Sequence, residues 1–402
     1  MAVPDAASYL PRSLATRVGE FITLRRDIHQ HPELAYEEHR TSELVATRLA
    51  AWGYAVDRGL GGTGIVGTLR RGSSQRAIGL RADMDALPIQ ESVQRPWASV
   101  HAGRMHACGH DGHTAALLAA ARAIVEDAAF DGTVHLIFQP AEEGQAGAAR
   151  MMAEGLFERF PCERIFALHN QPGLPAGHFA FRAGPTMASS DYATIHLQGK
   201  GGHGAMPHQT ADAVVAAAAI VMALQTIVAR NVDPLHTSVV TVGALHAGEA
   251  NNVVADQARM ELSVRALDPS VRTLLKRRIM EVATQQAASL GVAASVDWRD
   301  GYPVLVNDAA ATTFATQVAT ELFGPERVIT QTAPITASED FAYMLQEVPG
   351  CYFYVGNGAG SEPGACAVHN PQYDFNDAIL APAAAFWVRL VERYLPGRVS
   401  GV

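Results

Sequence analysis

The sequence predicts an α/β protein, built on a mixed, mostly parallel sheet sandwiched by helices, with an inserted ferredoxin-like α+β domain. Two observations lead to this prediction. Apolar strand-like runs alternate with helical patterns in the first half of the chain, which is typical of parallel sheets covered on both faces. Patterns in the order β-α-β-β-α-β then follow, and this is the ferredoxin-like order.

The first part of the chain supplies most elements of the larger domain. Residues 15–52 have the helical spacing of apolar residues, which Pro32 interrupts, and strand-like runs follow at 64–71 and 76–85. An Ala-rich helix is predicted at 112–126. Two further apolar runs, TVHLIFQPAEEG and RIFALHNQP, begin as buried strands and end in polar residues.

The pattern changes near residue 186, where the inserted domain is predicted to begin. Its helices are predicted at 211–231 and 269–290, between strand patterns in DYATIHLQGK, TSVVTVGALHAG, ARMELSVRAL and ASVDWRDG. After it, the larger domain resumes with a helix at 308–323, a strand at 351–358 and a closing helix at 377–394. We therefore predict a discontinuous domain of residues 1–185 and 303–402, with residues 186–302 inserted into it.

Composition limits the classes of function. The net charge of −9 argues against a nucleic-acid-binding protein, which needs a basic face to neutralise phosphates. The N-terminal residues lack the apolar core of a signal peptide, and the longest apolar run, residues 213–224, is too short for a bilayer, which requires about 20 residues. Four scattered cysteines do not form a disulfide framework. We expect a cytoplasmic protein that binds neither nucleic acid nor membranes.

The stretch HACGHDGHT (106–114) is dense in side chains that bind metals or transfer protons. Other polar clusters follow strand patterns, namely DMD (83–85), AEEG (141–144) and His169-Asn170, and His369 lies in a C-terminal loop. Ligands of open α/β sheets bind at the carboxyl ends of strands, so these clusters can converge on one crevice. A thiolate, imidazoles and carboxylates together suit zinc or a similar divalent transition metal.

Two other uses of Cys108 are less favoured. A redox thiol usually has a second cysteine nearby, and the sequence contains no Cys-x-x-Cys. A structural zinc finger uses closely paired ligands in a small module, whereas this chain has a large core of its own. Adjacent Glu142 and Glu143 favour a metal hydrolase, which needs one carboxylate as a ligand and another as a general base.

These motifs occur together, in the same order, in one known family. They are LRADMDALPI, MHACGHDGHTA, FQPAEEG, the strand end at His169, GKGGHGAMPH, EANNVVAD, SEDF and the loop of His369. The chain resembles the dinuclear metallopeptidase and amidohydrolase family of aminoacylases and glutamate carboxypeptidases. It is most similar to the branch of hippurate hydrolases and indole-acetyl-amino-acid hydrolases. The resemblance extends from RRDIHQHPEL (25–34) over nearly the whole chain.

The resemblance implies two divalent metal ions per subunit, zinc or else manganese, cobalt or nickel. It implies that Cys108 bridges the two ions. His110 and His169 would complete one site, and Glu143 and His369 would complete the other.

The resemblance also implies roles for residues that are not ligands. Glu142 would be the general base, and Asp83 or Asp85 would orient a ligand histidine. His203, from the same chain or from a partner subunit, would polarise the scissile carbonyl. The inserted domain would be a lid that also forms the interface of a homodimer or higher homo-oligomer.

Two residues of the inserted domain are implied to hold the substrate carboxylate. They are Asn252 and Arg265, with Arg265 as a bidentate clamp. Relatives often have Gly-Thr before that arginine, where this chain has Ser263 and Val264. The departure bears on the clamp and not on the metal site.

The implied activity is hydrolysis of the amide bond of N-acyl amino acids, hippurate-like or N-acetyl, to a carboxylic acid and a free amino acid. A metal-activated water would attack, with a glutamate as general base. One alternative is a metallo-carboxypeptidase or dipeptidase. A second is a binding protein that has lost catalysis, which the complete set of candidate ligands argues against.

Overall fold

The computed structural model describes residues 10–397, which form two compact units. One unit comprises the chain up to Gly184, Asn307–Ala333 and the chain from Tyr343 onward. The other comprises Pro185–Val306 and Pro334–Ala342.

The helices and strands of the described residues are joined by loops, of which residues 84–109 form the longest. The helices are α1 (Arg12–Gln30), α2 (His39–Ala51), α3 (His110–Glu126), α4 (Glu142–Gln145), α5 (Gly147–Ala153), α6 (Leu156–Arg159), α7 (Ala213–Arg230), α8 (Pro269–Ser289), α9 (Ala309–Phe323), α10 (Phe341–Glu347) and α11 (Leu380–Tyr394). The strands are β1 (Ala55–Leu60), β2 (Gly64–Arg71), β3 (Ala77–Asp83), β4 (Gly132–Gln139), β5 (Arg164–Pro172), β6 (Phe179–Ala180), β7 (Gly184–Met187), β8 (Ser189–Gln198), β9 (Gly202–His203), β10 (Ser238–Ala247), β11 (Val253–Val254), β12 (Gln257–Ala266), β13 (Ala293–Arg299), β14 (Leu305–Asn307), β15 (Val328–Ile329) and β16 (Gly350–Gly358).

The first unit is built on an eight-stranded mixed sheet in the order β1-β2-β4-β3-β5-β16-β6-β15. Its central strands β4, β3, β5 and β16 are parallel, and β1, β2 and β6 add antiparallel pairs. Helix α3 is buried along most of its length, and it packs against α1, α11 and β3. Strand β3 is buried at every position, as expected for a central strand covered on both faces.

The central parallel strands of this sheet bring the polar clusters together at their carboxyl ends. Asp83, the last residue of β3, pairs with Gln139, the last residue of β4. Strand β5 runs parallel to β3 on its other side and carries His169 near its carboxyl end. Because neighbouring parallel strands end at the same edge, the segments after β3 and β4 and the end of β5 lie side by side.

The second unit contains an antiparallel sheet in the order β10-β12-β8-β13, with α7 and α8 against it. Residues of β12 alternate between exposed and buried, which marks one face covered by helices and one face open. Side chains of Asp212 and Asp268 accept hydrogen bonds from the first backbone N–H groups of α7 and α8, so both helices begin at an aspartate cap.

Residues 334–342 belong to this second unit, whereas the predicted division placed everything after residue 302 in the larger domain. The reason is local pairing, because Ile335 forms a β-bridge with Met187 and its N–H donates to the backbone oxygen of Thr186. The segment contains the motif SEDF, but it is too short for a periodicity that would assign it to either domain.

Helix α7 is longer than the apolar run that the sequence analysis used to exclude a membrane span. It has 18 residues, and by length and composition alone it is the one described helix that could cross a bilayer. One face, including Ile220, Leu224 and Ile227, is buried in the core of the second unit. Only 33% of the helix is buried, so the absence of membrane binding stays a prediction.

The predicted elements differ from the structure in a few places. Strand β1 was not predicted, because its residues lie at the edge of the sheet and are mostly exposed or half-buried. Helix α10 was not predicted either. The closing helix begins at Leu380, since residues 377–379 form a separate 3₁₀ turn capped by the Asn376 side chain.

Candidate metal centre

Cys108 lies immediately before helix α3, where the chain makes a tight turn through Gly109. Gly109 has φ 98°, in the left-handed region. A Cβ atom there would lie 2.2 Å from Oδ1 of Asn170 and 2.5 Å from the Tyr373 hydroxyl, so only glycine fits. Cys108 thus lies just before the N-terminus of α3, where the helix dipole favours negative charge.

Two groups of potential ligands share Cys108. In each group the ligand atoms lie within 4.8 Å of one another. One group is Cys108, His110 and His169, and the other is Cys108, Glu143 and His369. The five side chains named as metal ligands in the sequence analysis are therefore neighbours in the structure, with the thiol common to both groups.

The two histidines of the first group are held through Nδ1. That atom of His110 lies 3.2 Å from Oδ1 of Asp85, and that of His169 lies 2.6 Å from the backbone oxygen of Asn170. An oxygen acceptor at Nδ1 fixes a proton there and leaves the Nε2 lone pair for a cation. Nε2 of His169 lies 3.3 Å from Sγ of Cys108.

The cluster has an excess of negative charge. Burial raises the pKa of the Cys108 thiol well above its usual value, and nearby carboxylates, first that of Glu143, raise it further. Burial lowers the pKa of His110, but Asp83, Asp85 and Glu143 outweigh this effect and raise it to about 10. A cation in this place would stabilise both the thiolate and the carboxylates.

The donor set fits one or two divalent transition-metal ions. Nε2 of His110 is buried and, among the described residues, has no hydrogen-bond partner. A buried polar atom without a partner is unfavourable unless something absent from the protein chain binds it. A soft thiolate with imidazoles and a carboxylate is the set that zinc and its neighbours prefer.

Glu142 and Glu143 lie in a strained turn after β4. Ala141, just before them, has φ 54°, and Glu143 and Gly144 interrupt the short helix α4 with non-helical angles. Oδ2 of Asp85 accepts the backbone N–H of Glu143 at 2.9 Å. The turn buries Glu142, which is 7% exposed, and Oε1 of Glu143 lies 3.2 Å from Nε2 of His369.

Asp83 contacts a different histidine from Asp85. Its Oδ1 lies 2.6 Å from Nδ1 of His113, while its Oδ2 accepts from Nη1 of Arg81 at 2.8 Å. Burial by itself raises the pKa of Asp83, but His110, Arg81 and His113 together hold it well below its usual range. Asp85 therefore orients the candidate ligand His110, whereas Asp83 orients His113.

Two further side chains of HACGHDGHT, Asp111 and His106, are buried and are not candidate ligands. Asp111 is fully buried, and its Oδ2 lies 2.9 Å from Nδ1 of His29 and 3.4 Å from Nη1 of Arg25. Burial lowers the pKa of His106 to about 4, so this buried ring is neutral. These side chains are buried, and none of them belongs to the two candidate ligand groups.

Two residues to which the sequence assigned no role also contact this network. Nε2 of His113 lies 2.7 Å from Oδ1 of Asn170, whose Nδ2 donates to the Tyr373 hydroxyl at 2.7 Å. Asn170 was visible as the polar residue after His169. Tyr373 gave no signal, because one tyrosine in a polar loop has no periodicity or spacing to mark it.

The other three predicted site residues lie in the second unit. His203 and Asn252 are neighbours: Val253 pairs with His203, and the N–H of Gly204 donates to the backbone oxygen of Asn252 at 2.8 Å. Both side chains are exposed. Arg265 lies near the far end of β12, where its Nη1 donates to Oγ of Ser338 at 3.2 Å.

Arg265 and Asn252 are thus not brought together within this unit. Strand β12 separates them, and its rise of about 3.3 Å per residue over Gln257–Arg265 amounts to roughly 26 Å. One carboxylate cannot contact both side chains of the same unit. The roles assigned to the eleven predicted site residues stay predictions.

Comparison with known proteins identifies the family. Residues 79–393 match peptidase family M20/M25/M40. Hippurate hydrolase of Campylobacter jejuni is 42% identical over 94% of this chain and 97% of that protein. IAA-amino acid hydrolase ILR1-like 5 of Arabidopsis thaliana is 39% identical over 95% and 89%.

A solved structure agrees with the sequence matches. The crystal structure of the Bacillus subtilis YXEP protein, a dinuclear metal binding peptidase from the M20 family, has a TM-score of 0.82. It is 31% identical, covering 94% of this chain and 98% of that one. The predicted fold class and the predicted resemblance are confirmed. The chain belongs to peptidase family M20/M25/M40.

Proposed function

We propose that the protein is a metal-dependent amidohydrolase that cleaves N-acyl amino acids to a carboxylic acid and a free amino acid. The observation that carries this proposal is the buried Glu142 beside two candidate ligand groups that share Cys108. The relatives support the substrate class, because hippurate and IAA-amino acid conjugates both join a carboxylic acid to an amino acid through an amide.

The five candidate ligands would hold two divalent ions. Cys108, His110 and His169 would bind one, and Cys108, Glu143 and His369 the other. When bound, such ions lower the pKa of water and polarise a carbonyl oxygen. The thiolate favours zinc, while manganese, cobalt and nickel also fit a set of this kind.

Glu142 would transfer the proton. Its carboxylate accepts a proton from the attacking water as the C–O bond to the amide carbonyl forms. It then delivers that proton to the amide nitrogen as the C–N bond breaks, so the leaving group departs as a neutral amine. Burial of Glu142 excludes competing solvent from this carboxylate.

His203 would donate a hydrogen bond to the carbonyl oxygen, and Arg265 would bind the substrate carboxylate. The separation of Arg265 from Asn252 along β12 favours a site completed by two subunits. His203 and Asn252 are neighbours, so both would then serve the same site, that of the partner subunit.

Self-association through the second unit is supported by its exposed surface. Strand β10 is an edge strand, and α7 packs beside it. The outer face of α7 exposes Val214, Val215 and Met222, with Met222 69% exposed. An unpaired edge and an adjacent apolar helix face together suit a second copy of the same unit.

A complementation experiment tests the shared site. Two inactive variants, His203→Ala and Glu142→Ala, are co-refolded or subunit-exchanged. If His203 acts across the interface, half of the sites in a heterodimer contain both native residues, and activity returns. If mixing restores nothing while heterodimers form, His203 acts within its own chain.

A reducing compartment suits the proposed chemistry, and we expect a cytoplasmic enzyme. The four cysteines are free thiols in the structure, including Cys108. A thiolate ligand requires a reduced cysteine, which the cytosol maintains.

The proposed base is tested by Glu142→Gln. The variant should keep its bound metal and lose turnover of N-benzoylglycine by about 10²–10⁴-fold, because glutamine cannot accept the proton. Glu347→Gln, at an exposed position of α10, is the matched control and should remain fully active. Near-normal turnover by Glu142→Gln would show that another group is the base.

A peptidase is the second candidate, since the YXEP protein is described as a peptidase. Parallel assays on N-acyl amino acids and on dipeptides with a free amino group separate the two functions. Preference for the N-acyl amino acids supports our proposal, and preference for dipeptides supports the alternative.

A further inference from the structure

We propose that Glu38 is a positioning residue for the turn that carries Glu142 and Glu143. Its carboxylate is completely buried and accepts a hydrogen bond from the backbone of this turn. Oε1 accepts the N–H of Ala141 at 2.8 Å, and Oε2 accepts the hydroxyl of Thr63 at 2.5 Å. This inference rests on the proposed function, because it explains how the proposed base is held.

This hydrogen bond is made at a strained position of the turn. Ala141 has φ 54°, a left-handed conformation that L-residues other than glycine rarely adopt. Pro140 precedes it and has no N–H to donate, so the Ala141 N–H is the first donor after β4. Anchoring this donor offsets the strain, which otherwise favours a relaxed turn with a different direction.

Glu38 does not cap helix α2, although it stands at the cap position in the sequence. It directly precedes α2, the usual place for a helix cap, yet its side chain makes no cap hydrogen bond. Glu33 caps this helix instead, accepting the N–H groups of Arg40 and Thr41 at 2.8 Å each. The Glu38 side chain is therefore free to turn inward to the loop after β4.

The burial of an acid without a cation calls for an explanation. Within residues 10–397, the structure gives Glu38 hydrogen-bond donors but no ion-pair partner. Burial raises its pKa to about 7, against the lowering effect of its hydrogen bonds. This cost is explained if the carboxylate holds a functional turn in place.

Two carboxylates thus accept hydrogen bonds from the backbone N–H groups on either side of Glu142. Glu38 holds the N–H of the preceding Ala141, and Asp85 holds the N–H of the following Glu143. Asp85 also contacts His110, so it links the turn to the candidate ligands. Glu38 links the same turn to the start of α2 and to Thr63, and neither of its hydrogen bonds is to a candidate ligand.

Glu38→Ala and Glu38→Gln form the test pair. Alanine removes both acceptors, whereas glutamine keeps an oxygen for Ala141 and can donate its amide to the Thr63 hydroxyl. Assayed with saturating divalent metal at pH 8.5, Glu38→Ala should lower kcat for N-benzoylglycine about 10–100-fold, with KM within about threefold. Glu38→Gln should restore kcat to within about threefold of wild type.

Hydrogen exchange supplies a readout that does not depend on activity. Amide exchange across residues 140–147 should become faster in Glu38→Ala and stay slow in Glu38→Gln, with Arg164–Pro172 unchanged in both. Thr63→Val provides a milder perturbation if Glu38→Ala does not fold. It should raise exchange in the same segment and lower kcat by a smaller factor.

The outcomes separate this inference from the proposed function. If wild type hydrolyses no N-acyl amino acid, the proposed function fails, and exchange across 140–147 alone decides on Glu38. Wild-type kcat and exchange in Glu38→Ala, or in Thr63→Val where that variant replaces it, overturn the inference. So does a Glu38→Gln variant as impaired as Glu38→Ala.

Discussion

At the scale of single residues, the candidate metal centre depends on which atom of each side chain is already engaged. Asp85 and the Asn170 carbonyl bind Nδ1 of His110 and His169, and this leaves both Nε2 atoms directed into the cluster. The sequence motifs predicted that the five candidate ligands would lie close together, and in the structure they do. The motifs could not say which aspartate holds which histidine, because Asp83 and Asp85 lie only two residues apart.

Cys108→Ala tests the shared ligand. Removing the thiol common to both groups should lose both bound metal and activity, as measured by metal analysis and by hydrolysis of N-benzoylglycine. Cys162→Ala is the control, since that free thiol precedes β5 and belongs to neither group. Retention of metal with loss of thiol reactivity alone would instead indicate a redox role for Cys108.

At the scale of elements, the turn before α3 requires glycine. Gly109→Ala introduces a left-handed alanine and a Cβ in contact with Asn170 and Tyr373. We expect the free energy of unfolding in urea to fall by at least ~2 kcal/mol, about half from backbone conformation and the rest from the clash. Gly103→Ala is the matched control.

Gly103 also has positive φ, at 74°, but a Cβ there meets no atom within 4 Å. The control should therefore lose only the conformational part, roughly 1 kcal/mol. Equal losses in the two variants would show that Asn170 and Tyr373 do not define the turn.

Strand β4 carries a buried histidine that makes stability depend on pH. Burial lowers the pKa of His135 to about 4, while an unfolded histidine titrates near 6.5. The unfolded state therefore binds the proton first as pH falls. The stabilisation is complete above pH 6.5 and is lost between pH 6.5 and 4, by up to ~3 kcal/mol.

His135→Gln should remove this component, so the difference in unfolding free energy between variant and wild type should change across that pH window. His208→Gln, at an exposed position, should follow the wild-type curve. Parallel curves for His135→Gln and wild type would contradict the burial effect.

The sequence predicted most elements because their patterns are strong. Buried β3 and β16 read as continuous apolar runs, and α3 reads as an Ala-rich helix. Edge strand β1 and the returning segment at 334–342 have no such pattern, since their place is determined by pairing with distant residues. Contacts such as that of Glu38 with Ala141 escaped prediction for the same reason.

At the scale of the whole molecule, the exposed face of α7 is the test of self-association. Wild type should sediment as a dimer, and Met222→Glu should sediment as a monomer, because a charge in a buried apolar interface is costly. Leu235→Glu is the control, since Leu235 is 89% exposed but lies in a loop after α7. A dimer in Met222→Glu would place the interface elsewhere.

The central claim is that the five candidate ligands hold two divalent ions on which amide hydrolysis depends. The most direct measurement strips the protein with a chelator and adds back Zn²⁺ or Mn²⁺. Bound ions per chain and hydrolysis of N-benzoylglycine are followed together. We predict no activity in the stripped protein and recovery as two ions bind per chain. Full activity after stripping, or the absence of stoichiometric metal binding, would contradict the claim.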